Sequence, residues 1–225
     1  MKKILFILVT VFTFSFVNAQ DMSFGIKAGL NYGANKTSDS DFNDQFDPIL
    51  VFHFGAYGEF SLSDKFSLQP ELLYTTSGAD FKSYSTIGGE ITSDLKYRLN
   101  YLNIPITAKY YVVDNLSLEV GPYIGFLLSA TEDGSLKSGD IVLLEADKID
   151  KKENYKSTDF GMGLGAGYKL DNGLSFSLRY NLSLMDINDN PELVGETTRR
   201  SGEAGTSSFT MSNNIIQFSI GFTFN

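Results

Sequence analysis

The chain has 225 residues, a formal net charge of −9 and no cysteine. The acidity argues against a nucleic-acid partner, because such partners require clustered Lys and Arg side chains against the phosphates. The lack of cysteine excludes disulfides, a lipoprotein attachment site and thiolate chemistry.

The first 19 residues have the features of a secretory signal peptide. A basic start is followed by a largely apolar run over residues 4–17, and residues 17–19 (Val-Asn-Ala) offer a small-residue cleavage site. We predict that residues 1–19 are removed on export and that residues 20–225 form one mature domain. No later run reaches the ~18 apolar residues of a membrane helix, so this domain can cross a membrane only as a closed sheet.

Beyond the leader, apolar and polar residues alternate in eight stretches, and this period of two predicts β-strands. In the first stretch Phe24, Ile26 and Leu30 share one face, whereas Lys27 and Asn31 share the other. The predicted strands cover, in chain order, residues 24–33, 52–60, 66–75, 102–110, 116–128, 160–169, 174–184 and 216–224.

The connections between these strands alternate between short and long. The short ones cover residues 61–65, 113–115 and 171–173, and the long ones cover residues 35–49, 77–94, 131–157 and 186–212. Tight turns on one rim and long loops on the other are typical of outer-membrane barrels. The pattern predicts an all-β, eight-stranded antiparallel up-and-down transmembrane β-barrel with short periplasmic turns and long external loops.

The orientation of the two strand faces separates this barrel from a soluble, lipocalin-like ligand carrier, whose apolar face lines a cavity. The apolar face carries more bulky side chains than an eight-stranded lumen can hold. The opposite face is dominated by Gly, Ser, Asn and Thr, and the sixth strand places glycine at 161, 163, 165 and 167. Small residues suit a narrow interior, so we predict that the apolar face contacts lipid.

Aromatic side chains stand near the predicted strand ends, as in the two interfacial belts of such barrels. The belt beside the short turns is predicted to contain Phe60, Phe66, Tyr110, Tyr111, Tyr168, Phe222 and Phe224. The belt at the opposite rim is predicted to contain Tyr32, Phe52, Tyr74 and Tyr101.

The fourth strand interrupts the pattern, because Lys96, Arg98 and Asn100 have the same parity as the lipid-facing Leu102. A bulge near Tyr101 would reset the register. Alternatively, these residues lie above the hydrocarbon on the external rim, either as a solvated strand extension or with Lys96 and Arg98 in contact with lipopolysaccharide phosphates. The sequence leaves these interpretations open.

Eight polar side chains on the predicted lumen face carry charge or can acquire it: Lys27, His53, Glu59, Glu71, Lys109, Glu119, Lys169 and Arg179. Unpaired buried charges are costly, so we expect the charged ones to pair as a plugged interior rather than to line a conduit. The single His53 with no cysteine argues against zinc, and no Gly-x-Ser-x-Gly nucleophile elbow accompanies it. We therefore predict no catalytic, metal-binding or cofactor-binding residues.

Several segments resemble the small outer-membrane β-barrel proteins common in Bacteroidetes, the PorT-like group. They are the Asn-Ala-Gln at 18–20, the Phe-Gly-Ile-Lys-Ala-Gly-Leu-Asn at 24–31, the Leu-Asn-Ile-Pro-Ile at 102–106, the Lys-Tyr-Tyr at 109–111, the glycine-spaced sixth strand, and the closing Gly-Phe-Thr-Phe at 221–224. The resemblance covers the mature chain and implies the barrel fold, outer-membrane localisation and insertion by the barrel-assembly machinery. None of these segments is a catalytic motif, and the resemblance gives no information about activity.

Together these features predict a non-enzymatic outer-membrane protein with a structural or surface-interaction role. Its expected partners are outer-membrane lipids, lipopolysaccharide and a protein or surface ligand at the external loops. The alternatives are a small porin, an accessory barrel of a protein secretion system and a soluble carrier.

Overall fold

The computed structural model describes residues 22–37, 46–85, 91–189 and 210–224, and the predicted signal peptide at 1–19 lies outside these residues. Within them the chain forms ten strands and one short 3-10 turn at Lys152–Asn154. The strands are β1 (Met22–Thr37), β2 (Phe46–Asp47), β3 (Ile49–Ser63), β4 (Phe66–Ser85), β5 (Ile91–Val113), β6 (Leu116–Ser138), β7 (Ile141–Asp150), β8 (Thr158–Lys169), β9 (Leu174–Ser183) and β10 (Met211–Phe224). None of the described segments is a helix long and apolar enough to span a bilayer.

Eight of the strands close into a ring in the order β1, β3, β4, β5, β6, β8, β9, β10, with every neighbouring pair antiparallel. The first and last strands complete the ring, pairing from Phe24 with Phe224 to Thr37 with Met211. The predicted eight-stranded up-and-down barrel is therefore confirmed. Tight connections at residues 64–65, 114–115 and 170–173 lie on one rim, together with the beginning of β1 and the end of β10.

The apolar faces of the strands point away from the barrel axis. Phe24, Ile26 and Leu30 are about half exposed, at 52%, 53% and 47%, whereas Lys27 and Asn31 on the other face of the strand are buried. The same alternation continues around the ring. An outward apolar band is stable only against acyl chains, so the lipid-facing orientation is confirmed and the lipocalin-like arrangement is wrong.

The prediction of long loops at residues 77–94 and 131–157 is wrong, because both segments consist largely of strand. β4 and β5 remain paired as far as Ser85 and Ile91, so only residues 86–90 separate them. β6 continues to Ser138 and pairs with β7, which runs back along it. Backbone pairing continues beyond the apolar band, but successive side chains there no longer alternate between facing lipid and facing the lumen. The period-two signal therefore stops before the strands do.

The fourth predicted strand keeps one register with its neighbour β4 from Leu73–Asn103 to Ser85–Ile91. An irregularity does occur beside Tyr101, but in the pairing with β6, where Leu128 is the additional residue. Lys96, Arg98 and Asn100 therefore keep the outward parity beyond the apolar band.

Tyr101 does not belong to an aromatic belt, contrary to the sequence-based prediction. Its side chain is only 2% exposed and packs inside the barrel with Leu99, Leu127, Ala130 and Ile187. It has odd parity on β5, as Asn103 and Thr107 do, so it points inward. Proximity to a strand end suggested the belt, but parity decides the face.

Candidate functional site

The lower half of the lumen, towards the short turns, contains a continuous chain of ion pairs. Lys27 Nζ lies 3.1 Å from Glu71 Oε1, and Arg179 Nη2 lies 2.8 Å from the same oxygen. Arg179 also reaches Glu119 Oε2 at 3.0 Å. Lys109 Nζ extends this series of ion pairs, because it lies 3.8 Å from Glu119 Oε1.

This series of ion pairs ends at Glu59, next to the short-turn rim. Lys109 Nζ and Lys169 Nζ lie 3.5 and 3.8 Å from Glu59 Oε2, and Tyr111 donates a short hydrogen bond to the same carboxylate. The structure thus brings seven of the eight predicted lumen residues into one network. Four cations and three carboxylates give this network a net charge of +1. The inward Tyr111 also shows that its predicted place in the aromatic belt is wrong.

Glycines on β8 make room for the network. A Cβ on Gly163 would lie 2.9 Å from Arg179 Cδ, and a Cβ on Gly167 would lie 2.5 Å from Glu119 Oε1. Real Cβ atoms do not approach other atoms so closely, so any larger residue there would displace the Arg179 or Glu119 side chain. The spacing of glycine at every second position of β8 therefore has a steric cause.

His53 lies deeper in the lumen and belongs to no ion pair among the described residues. Its Nε2 lies 2.9 Å from Ser219 Oγ, and the residue is 1% exposed. Its Nδ1 has no hydrogen-bond partner within the described part of the chain. A Ser-His catalytic pair needs a third group that orients the imidazole, together with access for substrate. This geometry instead suits a buried hydrogen bond between β3 and β10.

An apolar cap closes the long-loop end of the lumen. Its core is Ile187, which is 0% exposed, together with the Leu99, Tyr101, Leu127 and Ala130 cluster, and Tyr155 and Met211 pack against it. Ile187 is fixed by its backbone: its N–H donates to Met211 O at 2.8 Å, and its carbonyl accepts from Lys156 N at 2.8 Å. Sequence reasoning missed this cap, because an isolated isoleucine in a polar loop gives no periodic signal.

Burial affects the one ionisable group of the cap that lies outside the spanning strands. The surrounding apolar side chains, with Glu132 nearby, raise the pKa of Tyr155 to about 12. Tyr155 is therefore neutral at physiological pH, as a packing role requires.

Between the cap and the short-turn rim, the lumen holds little space. Two small cavities of about 20 Å³ each lie within it, one beside the ion-pair network and one beside Tyr101 and Tyr123. An open bowl of about 570 Å³ lies at the short-turn rim, with Glu59, Lys169 and Tyr111 in its wall. Within the described ranges, no group of three or more His, Cys, Asp or Glu could hold a metal ion.

Comparison with known families decides the class of this barrel. The family model described as "Outer membrane protein beta-barrel domain" matches residues 18–189. The chain belongs to this family. Its place is therefore the outer membrane, the short turns face the periplasm, and the extended strands face outward.

Three solved outer-membrane proteins are similar to this chain at low identity. Ail, the attachment invasion locus protein of Yersinia pestis, is 10% identical, with a TM-score of 0.46 over 91% of this chain and 100% of that one. Neisserial surface protein A is 11% identical, with a TM-score of 0.48 over 91% and 100%. OprG from Pseudomonas aeruginosa is 14% identical, with a TM-score of 0.42 over 90% and 96%.

The two cations suggested for lipopolysaccharide lie on the external wall of this outer-membrane barrel. Arg98 Nη1 lies 2.9 Å from Asp80 Oδ1, so it is already paired on that wall. Lys96 lines an open cavity of about 310 Å³ together with Asp94, Asp133 and Glu145. Both cations therefore lie among acidic side chains.

One buried acid in the lumen was missed by the sequence analysis. Asp159, at the start of β8, is 3% exposed and lies below the cap. It accepts hydrogen bonds from Ser183 Oγ at 2.5 Å, Asn213 Nδ2 at 3.1 Å and Tyr123 Oη at 3.3 Å. Its parity, two residues before Gly161, would have placed it on the lumen face.

Proposed function

We propose that this protein is a non-enzymatic, non-conducting outer-membrane protein that acts through an external arm formed by β6 and β7. In this proposal residues 1–19 are cleaved on export and the barrel-assembly machinery inserts the mature chain. The observation that carries the proposal is the exposure of four consecutive apolar side chains on the arm. Ile141, Val142, Leu143 and Leu144 are 66%, 51%, 54% and 65% exposed.

The position of this apolar run favours a protein partner rather than lipid. β7 pairs with residues 131–138 of β6, beyond the apolar band, and Gly139 in the left-handed region (φ 56°) turns the chain at the tip. A run of exposed apolar residues on a soluble extension is unfavourable unless something covers it. Loops and extensions held on a rigid scaffold are the usual place for recognition.

The charge of the arm indicates what the partner contains. The exposed acids Asp140, Glu145, Asp147 and Asp150 outnumber the two exposed lysines, Lys137 and Lys148. Acidic residues also line the 310 Å³ cavity beside the arm, together with Lys96. A partner with an apolar groove flanked by Lys or Arg would complement this surface, whereas a second acidic arm would be repelled.

Site-specific photocrosslinking on intact cells tests the proposed role of the arm. A photoreactive phenylalanine analogue at Leu143 should give a discrete protein adduct. The same analogue at Leu62, an exposed apolar residue of the periplasmic rim, is the matched control. The adduct should disappear when Val142→Asp is added. Adducts to lipid alone, or adducts unaffected by Val142→Asp, would overturn the proposal.

A small porin is the main alternative from the transport class. The ion-pair network and the apolar cap support a filled interior, since each of the two small cavities has room for about one water molecule. Planar-bilayer recording of the purified barrel should therefore give no stable single-channel current. A large, stable conductance would favour the porin instead.

Lipopolysaccharide contact by Lys96 and Arg98 is a second proposed interaction, at the point where the wall leaves the membrane. It rests on their outward position and on the attraction between cations and lipid phosphates. The double variant Lys96→Ala/Arg98→Ala should lose co-purifying lipopolysaccharide, whereas Lys65→Ala on the periplasmic rim should not. Equal lipopolysaccharide content in all three proteins would end this proposal.

The PorT-like resemblance suggests a further role as an accessory barrel for protein secretion. Deletion of the gene for this protein tests this role, by comparison of the proteins that the deletion strain and its parent secrete. An unchanged set of secreted proteins would exclude it.

A further inference from the structure

Three neighbouring ladders of the barrel wall each contain a gap at a proline. Two consecutive pairs are missing between β3 and β4 (58 with 70 and 59 with 69), between β4 and β5 (71 with 105 and 72 with 104), and between β5 and β6 (106 with 122 and 107 with 121). The register is the same on both sides of each gap. Within the described residues, the other five ladders of the ring pair without such a gap.

The prolines explain these gaps, because a proline has no N–H to donate to the neighbouring strand. Pro70, Pro105 and Pro122 each pair with the next strand around the ring, so the missing donor faces the strand before it. The residues that the register sets opposite these donors are Gly58, Glu71 and Ile106. A backbone carbonyl without its donor is costly in lipid. The wall from β3 to β6 is therefore held by fewer backbone hydrogen bonds than the rest of the ring.

One luminal side chain, Lys109 on β5, connects the strands on both sides of all three gaps. Its Nζ donates to Gln69 Oε1 on β4 at 3.1 Å. The same atom lies 3.5 Å from Glu59 Oε2 on β3 and 3.8 Å from Glu119 Oε1 on β6. Lys109 thus replaces, from inside the barrel, part of the connection that the prolines remove from the wall.

The surroundings of Lys109 leave room for its side chain to move. The cavity of about 20 Å³ beside the ion-pair network is lined by Lys109 and by its partners Gln69, Glu59 and Glu119. Most protein interiors have few voids of this size, because side chains interdigitate. The contacts of Lys109 can therefore rearrange without a general expansion of the barrel.

From this arrangement we infer that the wall from β3 to β6 contains a seam that opens locally, and that Lys109 holds this seam closed from the lumen. The seam consists of residues 58–59, 69–72, 104–107 and 121–122. Opening here separates neighbouring strands on one side of the barrel, while the ladders from β6 through β8, β9 and β10 to β1 and β3 stay paired. The inference is independent of the external arm.

Amide hydrogen exchange of the mature barrel, refolded in detergent micelles, tests the seam. The seam probes are the amides of Gly58, Glu71 and Ile106, the residues opposite the prolines. The reference probes are Leu164 on β8 and Tyr180 on β9, whose strands have uninterrupted ladders on both sides. The seam probes should exchange at least tenfold faster than the reference probes, because local opening exposes them without global unfolding. Equal protection in the two groups would overturn the inference.

Restoring one N–H should close one ladder at a time. Pro105→Ala should slow exchange at Glu71 about tenfold, the effect expected of one hydrogen bond, and should change Ile106 much less. Pro122→Ala should slow exchange at Ile106 and change Glu71 much less. If either variant slows both probes equally, or neither variant slows its own probe, the prolines do not create the seam.

Removal of the Lys109 ammonium should open the seam but not the rest of the ring. Lys109→Met should speed exchange at the three seam probes at least tenfold, with little change at the two reference probes. Adding Pro105→Ala should return exchange at Glu71 towards the wild-type rate. The matched control is Lys169→Met, which removes another ion pair of Glu59 from a strand outside the seam and should leave all five probes near wild type.

The pattern over the probes decides the role of Lys109. Acceleration at the reference probes as large as at the seam probes would show that Lys109 supports the whole barrel and would contradict the inference. The same acceleration in Lys169→Met would contradict it as well. If Lys109→Met does not refold, the wild-type exchange pattern and the two proline variants still test the seam.

Discussion

Arg179 and Glu71 are joined by two hydrogen bonds across the full width of the barrel. Nη2 donates to Oε1 at 2.8 Å and Nη1 donates to Oε2 at 3.2 Å. Arg179 lies on β9 and Glu71 on β4, which are four strands apart in either direction around the ring. This forked geometry is the strongest that a guanidinium and a carboxylate can form. It ties opposite walls together in the centre of the lumen.

Breaking this transluminal pair should destabilise the barrel strongly. Glu71→Gln leaves Arg179 and Lys27 without their shared carboxylate, and loss of one partner of a buried pair costs about 3–5 kcal/mol. Urea unfolding in lipid vesicles measures the free energy of unfolding. The control is Asp80→Asn, which breaks the external pair with Arg98 and should cost at most about 1 kcal/mol. Equal losses in the two variants would contradict the proposed role of the lumen network.

A methyl group added at Gly161 should disturb the lumen. The new Cβ would lie 2.2 Å from Leu182 O and 2.5 Å from the Tyr123 ring, so the β8–β9 ladder must shift. Overpacking of this kind costs about 1–3 kcal/mol. Gly58→Ala is the matched control, because its Cβ would make ordinary contacts of 3.5 Å with Phe24 and Phe60. Thermal midpoints of the two variants should differ clearly, with Gly161→Ala lower.

Truncation of Ile187 should loosen the cap without unfolding the barrel. Ile187→Ala removes a fully buried side chain, a change that costs about 2–5 kcal/mol in well-packed cores. The loss should fall mainly on the cap, where hydrogen exchange at Lys156 and Ile187 should accelerate. Exchange at Leu30 and Phe218, in the middle of the β1–β10 ladder, should stay slow. Uniform acceleration over both regions would show that the cap is not a separate unit.

The barrel itself was predictable because successive side chains of each spanning strand face lipid and lumen in turn. That constraint produces the alternation from Phe24 to Leu30, and it determines the face on which Lys27 and Asn31 lie. The charged lumen residues were predictable for the same reason. Their parity along the strands places these side chains inside the barrel, and a buried charge requires a partner of opposite charge. Their exact pairing depends on which strands lie opposite one another.

The external region was not predictable by the same means. Beyond the apolar band, β5 and β6 remain paired, but their side chains face water, neighbouring polar groups or the cap. The hydrophobic period is then lost while the backbone ladder persists. The inward position of Tyr101 and the burial of Ile187 depend on contacts between distant segments, which no local pattern encodes.

Depth-dependent fluorescence quenching tests the central claim, that the apolar face touches acyl chains and the polar face fills the lumen. The chain has no tryptophan, so single substitutions report without background. Phe126 and Tyr123 lie three residues apart on β6, the first 40% exposed and the second 6% exposed. After refolding into vesicles with brominated acyl chains, Phe126→Trp should be strongly quenched and Tyr123→Trp only weakly. Strong quenching of Tyr123→Trp with a protected Phe126→Trp would contradict the account.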